Sequence, residues 1–169
     1  MASLTGQIGL RRNSTGFIGK CIEWATNSTT HHVVVAVSET HCVSAEPGGA
    51  RLRLISDYPA LDWSRFILTD AERADIVRYC LDAAALQTPY NYAIYPPLLW
   101  QRITGCRVSG PVAEWLAQRP HLNCSQLSDD VYNAAGLHLF PDITQLITPG
   151  DFERLYVRLG FLHSMSRTP

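Results

Sequence analysis

Lysine is nearly missing from this 169-residue chain: Lys20 is the only one, and arginine carries the rest of the basic charge. With 14 basic against 15 acidic residues, the net charge of -1 exerts no global pull toward nucleic acid or an anionic membrane. Long apolar runs are missing as well. The opening "MASLTGQIGLRRN" has no continuous apolar segment of the signal-peptide kind, and no later window approaches the roughly eighteen apolar residues of a membrane span. The expectation is a chain made and kept in a cytoplasm, with no membrane span. Its five cysteines (Cys21, Cys42, Cys80, Cys106 and Cys124) form an odd set without a CxxC pair, which argues against a disulfide framework or a zinc ribbon and for reduced thiols. An HExxH, a glycine-rich phosphate loop and paired zinc-ligand spacing are all absent, so no metal and no cofactor is expected. The sequence shows no internal repeat, low-complexity tract or linker.

What is present reads as one α+β domain over residues 1–169, a length that supports one real core and not two. "FIGKCIEWAT" sets Phe17, Cys21, Trp24 and Ala25 at helical spacing. "HHVVVAVS" is continuously apolar and β-branched from Val33 to Val37, the pattern of a strand buried on both faces, with His32 at its mouth. A second strand ends at Glu46, a turn passes over Pro47, Gly48 and Gly49, and a third strand alternates Arg51 and Arg53 with Leu52 and Leu54. A small antiparallel sheet is predicted from these. Thr69 and Glu72 match a capping box for a helix over 70–86, with Ile76, Val77, Cys80, Leu81 and Ala84 along one face. Pro111 opens a further predicted helix through Leu116. Asn123 is a good N-cap and Gly136 a good stop for a helix striped by Leu127, Val131 and Ala135, and Thr148 with Pro149 starts the last helix.

That assignment puts Cys124 in the first turn of a helix. Free cysteine is usually packing, yet the unpaired N–H groups and positive dipole end of a first turn favour a thiolate. A thiol nucleophile needs a base, usually an imidazole, and the imidazole needs a third group to fix its tautomer. His32, at the start of a buried strand, is the candidate base, and Glu46, at the end of the next strand, is the candidate third residue. Ser44 lies two residues before Glu46 on the same strand and faces the same side, so the third position stays open between them.

"NCSQLSDDVYNAAGLHLFPD" resembles the nucleophile segment of the NlpC family of papain-like cysteine peptidases, and "LQTPYNY" resembles that family's Gly-x-Pro-Tyr motif. "GQIGLRR" and "HHVVVAVS" resemble its Gly-Asp-hydrophobic strand and its His-Val-Gly-Ile strand. Here those two strands precede the cysteine, the order of the circularly permuted branch that includes lecithin:retinol acyltransferase-like enzymes. The resemblance implies a permuted papain-like fold with Cys124 as nucleophile, His32 as base and Glu46 as third residue. It also implies a substrate border formed by Tyr90 and Tyr92 with Asn123 and Ser125 beside the nucleophile. Three positions depart from the family pattern: Asn123 stands for Asp, Gln126 for Gly, and Val34 for the glycine of the His-Val-Gly-Ile strand.

The function so implied is amide hydrolysis by a Cys–His–Glu thiol mechanism, with peptides or peptidoglycan stem-peptide fragments as substrate. A phage or prophage protein, released at lysis or carried in a virion, would reconcile a wall substrate with the absent export signal. Three other readings stand beside it: thioester or lipid acyl chemistry with "AIYPPLLW" as an apolar wall, proteolysis or deamidation of host proteins inside a cell, and a binding or structural module without activity.

Overall fold

The computed structural model describes residues 3–89, 100, 103–105, 123–140 and 147–162. Five strands, β1 (Ile8–Arg12), β2 (Thr30–Ala36), β3 (His41–Glu46), β4 (Gly49–Leu54) and β5 (Leu61–Trp63), form one antiparallel sheet in the order β4-β3-β2-β1-β5. Four helices accompany it among the described residues: α1 (Phe17–Ala25), α2 (Asp70–Ala85), α3 (Cys124–Ala134) and α4 (Pro149–Arg158). The molecule is therefore α+β with a small antiparallel sheet. The helix predicted from Pro111 lies outside the described residues, as do Tyr90, Tyr92 and all of "AIYPPLLW" except Trp100.

Strand alternation sorts the core into two layers. Val33, Val35, Val43 and Ala45 point at the helices and pack with Ile76 and Cys80 of α2, Leu127 and Val131 of α3, and Phe152 of α4. Val34 and Cys42 point the other way, into a smaller cluster closed by Tyr58, Leu61 and Trp63. Because β2 is covered on both faces, its unbroken valine run follows from burial. Val34 fits because β1 places Gly9 directly opposite: a Cβ on Gly9 would come within 3.0 Å of Trp63 and 3.1 Å of Val34.

The ends of the helices agree with their sequence signals. Thr69 and Glu72 form the predicted capping box of α2, and the Asn123 side chain accepts the Gln126 N–H at 2.7 Å to cap α3. Gly136 adopts φ +78° just past α3, a left-handed stop that glycine tolerates. Two helical faces differ from expectation. In α1 the predicted stripe faces outward, with Phe17 and Trp24 exposed and Ile22 buried instead. The apolar arc of this nine-residue helix runs from Trp24 round to Ile22, and the core meets it at its Ile22 edge, so periodicity located the apolar face without marking which edge is buried. In α2 Leu81 is exposed and Ala83 takes the buried position, because the helix packs on Ile76, Cys80 and Ala83.

Candidate active site

β2 and β3 do not stay paired along their whole length. Their ladder runs from Ala36↔Cys42 to Val34↔Ser44 and then stops, whereas β3 continues against β4 to Glu46↔Gly49 and β2 continues against β1 to Thr30. The Ala36 N–H points to β1, where it meets Gln7, so by alternation the Val33 N–H points toward β3, into the opening. The first turn of α3 packs against β2 there, and the Val33 N–H lies near enough to the Cys124 sulfur to pull its pKa down. The nucleophile candidate thus lies near the amide that directly follows His32.

The thiol is buried, 3% exposed. Burial raises its pKa, while the Val33, Cys124 and Ser125 N–H groups and the Ser125 hydroxyl, 4.0 Å away, pull it down; burial prevails, so the resting group is a thiol. Ser125 is itself fully buried, and the Asn123 side-chain oxygen is committed to its cap. Neither side chain lies open to a substrate.

His32 projects from the opposite face of β2. Its Nε2 lies 2.6 Å from Ser44 Oγ, and its ring stacks on Tyr58 with centroids 5.8 Å apart. The Ser44 hydroxyl donates to Glu46 at 3.2 Å, and Glu46 also receives the Tyr58 hydroxyl and the Arg53 guanidinium, the latter at 2.9 Å. A hydroxyl has one proton. Since Ser44 gives it to a carboxylate that can only accept, its oxygen must accept from His32, which places the imidazole proton on Nε2 and leaves the Nδ1 lone pair free. Among the described residues no hydrogen bond joins the imidazole to the thiol.

Burial drives the His32 pKa down to about 4, against the charge of Glu46, with His31 and Arg11 adding to the fall; the ring is neutral at pH 7. Burial would raise Glu46, but the Tyr58 and Arg53 hydrogen bonds and the charges of Arg53 and His32 outweigh it, and the carboxyl stays ionised. Burial and Glu46 raise Tyr58, keeping it a donor.

The structure places Cys124 against the helix-facing side of β2 at Val33 and His32 on the other face of that strand, with Glu46 one hydrogen bond behind Ser44. Ser44, which the strand spacing left as the alternative, is the residue that touches the imidazole. Tyr58 and Arg53 were missed. Arg53 shares the alternation of β4 with a carboxylate across the strand pair, a readable signal; Tyr58 sits in the turn "SDYPA", where no periodicity operates. A cavity of about 310 Å³ opens beside His32, lined among others by Arg11, Ile18, His31, Glu46 and Tyr58. Among the described residues no cluster of three or more His, Cys, Asp or Glu side chains is arranged to hold a metal ion, and no helix is long and apolar enough to cross a membrane. Four cysteines, Cys21, Cys42, Cys80 and Cys124, are free. No known family model and no curated protein matches the chain.

Proposed function

We propose that this protein is a cysteine hydrolase of the permuted papain-like kind, cleaving amide bonds with Cys124 as nucleophile and His32 as base. The observation that carries the reading is the placing of the Cys124 sulfur near the Val33 amide, one residue along the strand from a histidine whose proton is held on Nε2 by Ser44. In the reaction the Nδ1 lone pair of His32 takes the thiol proton as sulfur attacks the carbonyl carbon, and returns it to the leaving amine. N–H groups of the first turn of α3 stabilise the oxyanion. Ser44 fixes the tautomer, and Glu46, held by Arg53 and Tyr58, fixes Ser44. Water then hydrolyses the acyl-enzyme thioester, with His32 again as base.

Peptides, with peptidoglycan stem peptides as the first to try, are the substrate class that the motif resemblance supports. The apolar lining from Ile18 and Ile22 favours acyl thioesters as a second class. Digestion of muropeptides, model peptides and acyl thioesters, read by mass spectrometry with Cys124→Ala as control, tests both. Wild-type cleavage that Cys124→Ala and His32→Ala each reduce by at least about a thousandfold supports the reading. Cleavage undiminished in Cys124→Ala overturns it.

A further inference from the structure

Arg11 has no role in the chemistry just described, yet it faces the same ground. β1 pairs it directly with His32, so the guanidinium shares that histidine's face of the sheet, 5.9 Å from the Tyr58 ring centroid. It lines the same cavity as His32, and its charge is felt by both His31 and His32. Among the described residues it has no ion-pair partner, whereas its neighbour Arg12 pairs with Asp62 and Arg53 pairs with Glu46.

The charge balance of the cavity follows. Glu46 is matched by Arg53 and by two hydroxyl donors. His31 and His32 are both held toward the neutral form by burial. Glu23 lies behind His31, 3.1 Å from its Nδ1, and does not line the cavity; on the lining itself the Arg11 guanidinium is the charged group without an ion-pair partner among the described residues, with five donors in a planar fork suited to a carboxylate. Around it Ile18, Ile22 and Pro47 supply aliphatic surface. A volume of about 310 Å³ is of the size a peptide side chain with part of its backbone occupies.

We infer that Arg11 is a specificity residue: the cavity beside His32 receives a carboxylate-bearing side chain of a peptide substrate, its methylenes on Ile18 and Ile22 and its carboxylate on the Arg11 guanidinium. The inference rests on the hydrolase reading for its place in a reaction, but the binding itself needs no turnover. It can therefore be tested on Cys124→Ala, where failure of catalysis and failure of binding are separate results.

The probes are acetyl-Ala-Glu-amide and acetyl-Ala-Gln-amide, which differ in one charged group, with hexanoate as a non-peptide carboxylate. Each is titrated at pH 7.5 into histidine-labelled Cys124→Ala protein, following the His32 ring resonances. The expected result is that the glutamyl peptide binds at least fivefold tighter than the glutaminyl peptide. That preference should weaken between 20 and 200 mM salt, as an ion pair requires. Arg11→Gln should abolish the preference and Arg11→Lys should keep part of it. Equal affinity of the two peptides for the unsubstituted cavity, or a preference indifferent to salt, overturns the inference without recourse to any Arg11 variant. A preference that survives in folded Arg11→Gln overturns the role of Arg11. Hexanoate binding tighter than the glutamyl peptide overturns the peptide as the source of the carboxylate.

Discussion

At the scale of single residues, the resting pair is a neutral thiol and a neutral imidazole, since burial moves Cys124 up and His32 down. Alkylation by iodoacetamide, which depends on thiolate, should accordingly be slow at Cys124 at pH 6, climb through the alkaline range, and change little in His32→Gln. A fast reaction at pH 6 that vanishes in His32→Gln would instead reveal a standing thiolate–imidazolium pair. Turnover should behave differently from alkylation, because in the proposed reaction His32 takes the proton. The relay also predicts a tautomer: ¹⁵N spectra should show the His32 proton on Nε2. Ser44→Ala should lose that assignment and up to about 100-fold in kcat/KM, the low end of what general-base catalysis contributes, with Glu46→Gln losing less. The positions of Cys124 at a helix start and His32 near a strand start were legible in the sequence because each stands at the end of an element whose periodicity is plain. The order Ser44 before Glu46 was not, since two residues of equal parity on one strand differ only in where the partner strand diverges.

At the scale of elements, the site exists because β2 and β3 separate and α3 packs against β2 there. The Asn123 cap holds the first turn of α3 in place, and Asn123→Ala should cost about 1 kcal/mol in urea unfolding while also lowering the proposed activity, since the capped turn carries the proposed nucleophile. Gly9 is the complementary device. Gly9→Ala would thrust a methyl onto Trp63 and Val34 at 3.0 to 3.1 Å in a packed layer, and should destabilise by about 1–3 kcal/mol. Pairing Gly9→Ala with Val34→Ala should recover part of that loss, because the clash is mutual. The capping residues and strand boundaries were readable from side-chain chemistry. The three-residue β5 was not, because "LDW" is too short to show a period. The inward edge of α1 was not, because only Ile22 of its apolar arc is buried by packing.

At the scale of the molecule, the helical layer is tied to the sheet by polar groups as well as by its apolar core. Tyr132 and Tyr156 donate to the Gly6 and Ile8 carbonyls of the β1 region, each at 2.5 Å, and Glu153 of α4 receives Ser28, Thr29 and Thr30 just ahead of His31 and His32. Acid should loosen this assembly in two steps. His32 keeps its neutral form in the fold down to about pH 4, while the unfolded chain binds a proton below its ordinary value of 6.5. Its contribution is therefore full above about pH 6.5 and lost as pH falls toward 4. Burial opposes the Glu153 charge, but its hydrogen bonds lower the pKa, so its contribution is lost at still lower pH. Urea midpoints between pH 4.5 and 7.5 should slope less steeply in His32→Gln, and an unchanged slope would refute the burial of this imidazole. The sequence by itself determined the α+β class, most strand and helix limits, and the placing of a thiol at a helix start and an imidazole at a strand start. These depend on patterns spanning a few residues, which local sterics and capping impose. Only the tertiary structure decided that the thiol lies near the Val33 amide, that Ser44 stands between His32 and Glu46, and that Arg11 and Tyr58 share their cavity. Those contacts join segments 12 to 91 residues apart, and such distances close only when the sheet has paired and the helices have packed upon it.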